Sequence, residues 1–438
     1  MAREHLIKPL VGHSYPVISH GKGVYLYDKA GKRYIDGSSG AITAGIGHGV
    51  PEIIAAMTKQ AEQVAFVYRS QFTSEAAENL ARKLADLAPG DMNWTFFVNS
   101  GTEATETAMK LAIQHYQEKG KKGKQKILSR WMSYHGITIG ALSMSGHPLR
   151  RQRFVPLLED YPSVSPPYCY RCPFHSSYPS CGVACAHELE RVIEKVGADH
   201  IAAFIAEPII GAAGGAITPP DGYYEQIRSI CDAHDILFIA DEVMTGLGRT
   251  GAMFAMEHWG VQPDIVALGK GMTAGYTPMA ATMASDRVME PIINGSRSVM
   301  SGHTFSANPL SAAVSLAVLE YIEKHGLVQE AAQKGAYLLE KLQSIQQNSH
   351  IIADVRGKGL LLGMELYSIP SARLLQIAAD KGLLLYPAVA GRSGRDETAL
   401  LIAPPLTITK DEMDELLEIL QESILELEAE YIAGKQGK

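Results

Sequence analysis

No apolar run in this 438-residue chain approaches the roughly 18 residues that a membrane-spanning helix needs, so a helical span is excluded. The opening stretch, "MAREHLIKPLVGHSYPV", also lacks an apolar segment of signal-peptide length, and a cytoplasmic protein is expected. Positive charge is not in excess. With 40 Lys and Arg against 47 Asp and Glu, the net charge of -7 removes any general pull toward nucleic acid or anionic lipid. The one basic run, "KGKKGKQK" at 119–126, reads as a solvated loop. Cysteine is scarce, at five residues, and four of them lie between Cys169 and Cys185. In a reducing compartment they are expected as thiols, which disfavours a disulfide. What the chain does hold is apolar substance: 46% hydrophobic residues, enough for a large core divided between two domains.

Short apolar runs alternate with helical patterns between about residues 94 and 285, the signature of a mostly parallel sheet flanked by helices. The runs are "WTFFV" (94–98), "KILSRW" (126–131), "AAFIA" (202–206), "ILFIA" (236–240) and "DIVAL" (264–268). After residue 325 the pattern changes to a Leu- and Ala-rich helix, a strand pair around "DVRGKGLLLGMEL", another helix, "ALLIAPPL" and a long last helix. Thr409 and Glu412 stand in capping-box spacing at that helix's start. The expected division is an N-terminal segment, 1–65, packing with the small domain; a large domain, 66–325; and a small α+β domain, 326–438.

Ligands of open α/β sheets bind beyond the carboxyl ends of the strands, so the residues that follow each run are the candidates. "WTFFV" leads into "NSGTEATETAMKLA", where Ser100, Gly101 and Thr102 open a helix. Its free amides, hydroxyls and glycine suit a phosphate, although an ordinary helix cap would look the same. After the second run, Tyr134 offers an aromatic face and His135 a polar edge. Glu207 ends the third run. Asp241 ends the fourth and, following five apolar residues, asks for a cationic partner, a structural N-cap being the alternative. Lys270 follows the fifth between two glycines, where desolvation would make it an imine-forming nucleophile. Together these groups describe a pyridoxal phosphate site, with Lys270 as covalent anchor and general base and Asp241 at the ring nitrogen. "GLGRTG" at 246–251 matches the dinucleotide fingerprint but is not followed by a long amphipathic helix, so a nicotinamide reading fails.

In order along the chain, "GHGVPEI", "SGTEATETAMKLA", "YHG", "EPIIG", "DEVMTGLGRTG", "DIVALGKGM", "GHTFSANPLSAAV" and "APPLTIT" resemble the class III, or omega-type, aminotransferases of the fold type I pyridoxal phosphate enzymes. The resemblance implies that Lys270 is the Schiff-base lysine, that Asp241 partners the pyridine nitrogen, and that Val243 and Tyr134 cover the two ring faces. It implies Ser100, Gly101 and Thr102 at the phosphate, Glu207 organising the site, and Thr304 reaching the phosphate of a neighbouring subunit, hence a homodimer with shared sites. Met244 departs from the family pattern, where Gln is frequent. Tyr68, Arg392 and Arg395 are the candidate substrate contacts, the arginines as receivers of an acceptor carboxylate. The expected reaction moves an amino group from an omega-amino acid, beta-amino acid or amine to a 2-oxo acid such as pyruvate or 2-oxoglutarate. The fold also carries aminomutases, a decarboxylase, lyases and racemases. A zinc-dependent interaction protein on a dead scaffold is the non-enzymatic alternative. For that, Cys169, Cys172, Cys181 and Cys185 have spacing compact enough for a tetrahedral site, yet "CGVACAHELERVIEKV" also reads as a helix start whose thiols pack on the sheet.

Overall fold

The structure, a computed structural model, describes residues 5–436. Seven strands form the central sheet, in the spatial order Trp94–Val98, Ala280–Ala284, Ile265–Leu268, Leu237–Asp241, Ile201–Ala206, Lys126–Arg130 and Ser163–Val164. Ala280–Ala284 runs antiparallel to both of its neighbours, and the remaining ladders are parallel. All five apolar runs are therefore strands. The antiparallel member, "AATMA", is an addition: it has few of the β-branched residues that mark a strand, and burial rather than propensity makes it one.

Alternation along the strands assigns each side chain to one face. Phe204, Ala206, Phe238 and Ala240 share a core with Leu189, Ile193 and Ile227 from the helices Ala184–Val196 and Tyr223–Ala233. On the other face Ala203, Ile205, Leu237 and Ile239 pack against Ala108, Leu111 and Ala112 of the helix Gly101–Glu118. Burying a Leu or Ile side chain this completely contributes about 1.5–3 kcal/mol. The three-layer sandwich holds the carboxyl ends of the strands rigidly along one edge.

A four-stranded sheet at the N-terminal side, Ile18–Lys22, Tyr25–Asp28 and Arg33–Asp36, takes Leu383–Leu384 as its fourth strand, with Leu383 parallel to Ile35. A further sheet, ordered Ile352–Lys358, Leu361–Leu366, Asp396–Ile402, Tyr386–Ala390, is antiparallel throughout. Val24, Ile35, Ile46 and Ile53 share one apolar cluster with Leu362, Leu400, Leu416 and Leu420. The last helix, Lys410–Gln436, opens on the expected capping box: Thr409 Oγ1 accepts from the Glu412 amide at 3.3 Å, and Glu412 Oε2 accepts from the Thr409 amide at 2.8 Å. Among the described residues no helix is long and apolar enough to cross a membrane.

The basic run corrects one expectation. Lys124 is buried, and its Nζ donates to the carbonyls of Ala198 at 2.9 Å, Ile201 at 3.1 Å and Asp235 at 2.7 Å. A charge run drew attention to solvent, but one of its lysines ties the loop to two neighbouring turns.

Candidate active site

Gly101, Thr102, Tyr134, His135, Glu207, Asp241, Val243 and Lys270 all line one cavity of about 170 Å³ at the carboxyl edge of the sheet. They come from five strand ends, four on neighbouring parallel strands and one on Trp94–Val98, which Ala280–Ala284 joins to them; Asp241 is paired with Ala267, three residues before Lys270. Lys270 itself has a left-handed backbone, φ 44°. A non-glycine residue held there costs roughly 1 kcal/mol or more, which the surrounding sheet must offset. Burial pushes its amine down to about 8, against the opposing pull of the Asp241 and Glu207 carboxylates.

Asp241 and His135 form a buried pair, Nδ1 to Oδ2 at 2.7 Å. An ionised carboxylate only accepts, so Nδ1 carries the proton. The other oxygen, Oδ1, accepts from the Val243 amide at 3.1 Å. His135 thus supplies Asp241 with a hydrogen-bond partner, while its buried Nε2, without a partner among the described residues, leaves a polar edge in the cavity as the sequence suggested.

Glu207 is also buried. Oε1 accepts from the Tyr134 amide at 2.9 Å and Oε2 from the Gly211 amide at 3.0 Å, so one carboxylate joins the two loops on this side of the cavity. Burial, reinforced by Asp241, raises its pKa. Behind it Arg130, fully enclosed, donates to the Glu207 carbonyl and to Tyr224 Oη at 3.2 Å. An arginine at the end of an otherwise apolar run was the signal for this brace.

The phosphate turn is built as a capped helix. Ser100 is the N-cap, its Oγ accepting from the Glu103 amide at 3.3 Å, and it stands outside the cavity while Gly101 and Thr102 line it. The 18-residue helix that follows places roughly half a positive charge at this end. A Cβ on Gly101 would stand 2.6 Å from Val243 Cγ1, so only glycine lets the helix start approach that wall. Gly136, Ala212 and Met244 complete the lining. Gly136 (φ 134°) leaves no room for a Cβ, which would meet Thr102 Oγ1 at 2.6 Å. Met244 packs over Gly211, where a side chain would collide with its sulfur.

Other candidates lie elsewhere. Thr304 and Tyr68 are exposed and do not line the cavity. They sit among exposed apolar groups: Phe66 and Phe305 meet edge to face at 5.8 Å, and Phe72 and Met300 point outward. Arg392 and Arg395 are exposed in the turn joining Tyr386–Ala390 to Asp396–Ile402 and line no cavity described here. Cys169, Cys172, Cys181 and Cys185 border one enclosed space of about 20 Å³ with Phe174 and Tyr178. All five cysteines are free, and among the described residues no three His, Cys, Asp or Glu side chains stand in a metal-holding arrangement. Cys185 is buried against the sheet, in the helix that its sequence suggested.

These features suit pyridoxal phosphate. The glycine-lined helix start would take its phosphate, the Val243 and Tyr134 walls would flank its ring, and the Asp241 carboxylate would face its nitrogen. The buried His135 Nε2, which has no partner among the described residues, and the Lys270 amine complete the polar end of the cavity. Fold and site together define a pyridoxal-phosphate-dependent transferase of fold type I.

The family model "Aminotransferase class-III" matches residues 8–424. The chain is 52% identical over 436 residues to the uncharacterized aminotransferase YodT of Bacillus subtilis, covering 97% of this chain and 98% of that protein. Among solved structures it resembles a thermostable (S)-enantioselective omega-transaminase from Thermomicrobium roseum, at TM-score 0.90 and 36% identity over 97% of this chain and 96% of the other. An amine transaminase from an uncultivated Pseudomonas species, solved with pyridoxal phosphate, superposes at TM-score 0.90 with 34% identity, covering 97% and 99%. The chain belongs to the class III aminotransferases, enzymes that use pyridoxal phosphate. That excludes the non-enzymatic reading.

Proposed function

We propose that the protein transfers an amino group from an omega-amino acid, a beta-amino acid or an amine to a 2-oxo acid, pyruvate or 2-oxoglutarate, in two half-reactions. The observation that carries this reading is the convergence of the Lys270 amine and the His135-supported Asp241 carboxylate on one cavity.

When bound, pyridoxal phosphate supplies an aldehyde that links reversibly to amines and a ring that stores an electron pair. The remaining work falls to the chain. Amides of Gly101 and Thr102 at the helix start bind the phosphate anion. Tyr134 and Val243 enclose the ring faces and keep water out. Asp241, its charge stabilised by His135, holds a proton on the ring nitrogen. Lys270 Nζ, with its pKa near 8, is neutral in a useful fraction near neutral pH. It therefore takes the proton from the carbon that bears the donor's amino group and later delivers one to the carbonyl carbon of the acceptor.

The same reading includes a homodimer. Phe66, Phe72, Met300 and Phe305 are too exposed and too close together for a solitary chain, and Thr304 among them would reach the neighbour's phosphate. A solution mass near twice 47.4 kDa is expected, and a monomer at assay concentration would contradict it. The division at 1–65, 66–325 and 326–438 is retained as part of the proposal, supported by the N-terminal residues that share a core with the last helix. The five free thiols suit the cytoplasm.

The test is a half-reaction. Purified enzyme with a donor and no acceptor should release one carbonyl product per site and lose its characteristic absorption, and Lys270→Ala should abolish both. If a broad panel of amines and amino acids gives no carbonyl product, the reading is wrong.

A further inference from the structure

A second, larger chamber of about 350 Å³ adjoins the cofactor cavity. Ala212 lines both, so the two spaces meet across a single methyl group. Three separate segments wall the outer chamber: His147, Leu149 and Arg150; the start of the helix Ala372–Asp380; and the Pro387–Val389 strand with Glu397 opposite. Most of that wall is apolar, with Leu149, Leu375, Pro387 and Val389 giving a surface that accepts methylene groups.

Arg150 is the group that links the two spaces chemically. Its guanidinium lies 4.8 Å from the centre of the Tyr134 ring, which lines the inner cavity. Among the described residues no carboxylate pairs with it and no acceptor takes its hydrogen bonds, so its forked N–H groups are available to a ligand. Its field reaches Lys270, where it adds to the lowering of that amine's pKa behind the dominant effect of burial. Glu397 is the other charged group of the chamber. An anion in the chamber would be drawn to Arg150 and repelled from Glu397.

Resting on the aminotransferase reading above, we propose that the outer chamber receives the carbon chain of the amino donor and that Arg150 binds a carboxylate at its far end. The preferred donors are then straight-chain amino acids with amine and carboxylate at opposite ends. Their amine lies at Lys270, their methylenes pass Ala212, and their carboxylate forms a two-pronged ion pair with the guanidinium. Arg392 and Arg395, which reach neither chamber, have no part in this contact.

The experiment compares holoenzyme kcat/KM for 3-aminopropanoate, 4-aminobutanoate, 5-aminopentanoate and 6-aminohexanoate with that for the n-alkylamines of matching length, pyruvate being held constant. Arg150→Gln should lower kcat/KM for the longer amino acids by about ten- to a hundredfold more than for the alkylamines of matching length, the difference lying mainly in KM. Arg150→Lys should restore part of the loss, since the charge returns without the fork. Unchanged thermal unfolding and cofactor absorption show that the variant is folded. Equal losses in both series, or no loss in either, would overturn the proposal, as would a selective loss in Arg392→Ala or Arg395→Ala with none in Arg150→Gln. A wild-type enzyme that transfers no amino group from any donor would instead defeat the underlying reading.

Discussion

His135 Nδ1 donates to Asp241 Oδ2 at 2.7 Å inside a space closed to bulk water. The pair fixes the orientation of the carboxylate at the cavity floor, the other oxygen being held by the Val243 amide. Asp241→Asn preserves the shape and removes the charge. It should lower kcat by about 10²- to 10⁴-fold with a far smaller effect on donor KM. Steady-state kinetics at saturating cofactor decide this, and a loss below about fivefold would remove Asp241 from the mechanism.

Lys270 should reveal its pKa before any turnover. In the cofactor-free enzyme its amine is charged below about 8 and neutral above. The rate at which borohydride traps pyridoxal phosphate on Lys270 should therefore rise between about pH 7 and 9. A midpoint near the ordinary lysine value of about 10.4 would show that burial does not depress it.

At Gly101 the limiting feature is space. A methyl group there would press into Val243 and narrow the cofactor's slot, so Gly101→Ala should weaken pyridoxal phosphate binding about tenfold or more. The direct stability loss should be about 1–3 kcal/mol. Cofactor titration of the apoenzyme and chemical denaturation separate the two effects. Unchanged affinity would mean that the helix start yields.

Glu365 lies at the centre of a buried network away from the cavity. Its Oε1 accepts from Arg171 Nε at 2.7 Å and its Oε2 from Arg356 Nη1 at 3.1 Å and from Tyr168. Glu365→Ala leaves the buried Tyr168 hydroxyl without its acceptor and Arg171 without its carboxylate, while Arg356 keeps Asp354, and should cost about 1–3 kcal/mol in denaturant unfolding. A loss under about 1 kcal/mol would show that water replaces the carboxylate.

Much of the site was legible because each candidate follows its apolar run directly in sequence. Asp241 and Lys270 needed only the rule that ligands lie beyond parallel strands. The outer chamber was not legible: Arg150, Leu375 and Glu397 stand on segments with no local pattern in common, and only folding makes them neighbours. Arg392 and Arg395 attracted attention by sequence position, whereas their turn faces solvent. Thr304 and Tyr68 illustrate another limit. Both are exposed and lie off the cavity of the chain that carries them, which no local pattern around them shows. Lys124 shows why charge runs mislead, since one buried lysine held by carbonyl groups looks the same in sequence as its solvated neighbours.

The parallel pairing of Ile35 with Leu383 has a consequence for synthesis. Gly37 and Gly45 likewise offer their carbonyls to the amides of Ala403 and Leu406. Residues 35–45 thus wait for partners made about 350 residues later. The central sheet, assembled between residues 94 and 284, can form while they wait. The N-terminal strands must remain unpaired on their far edge for most of translation, and that exposed edge is where a nascent chain of this protein is most open to aggregation and to chaperone capture.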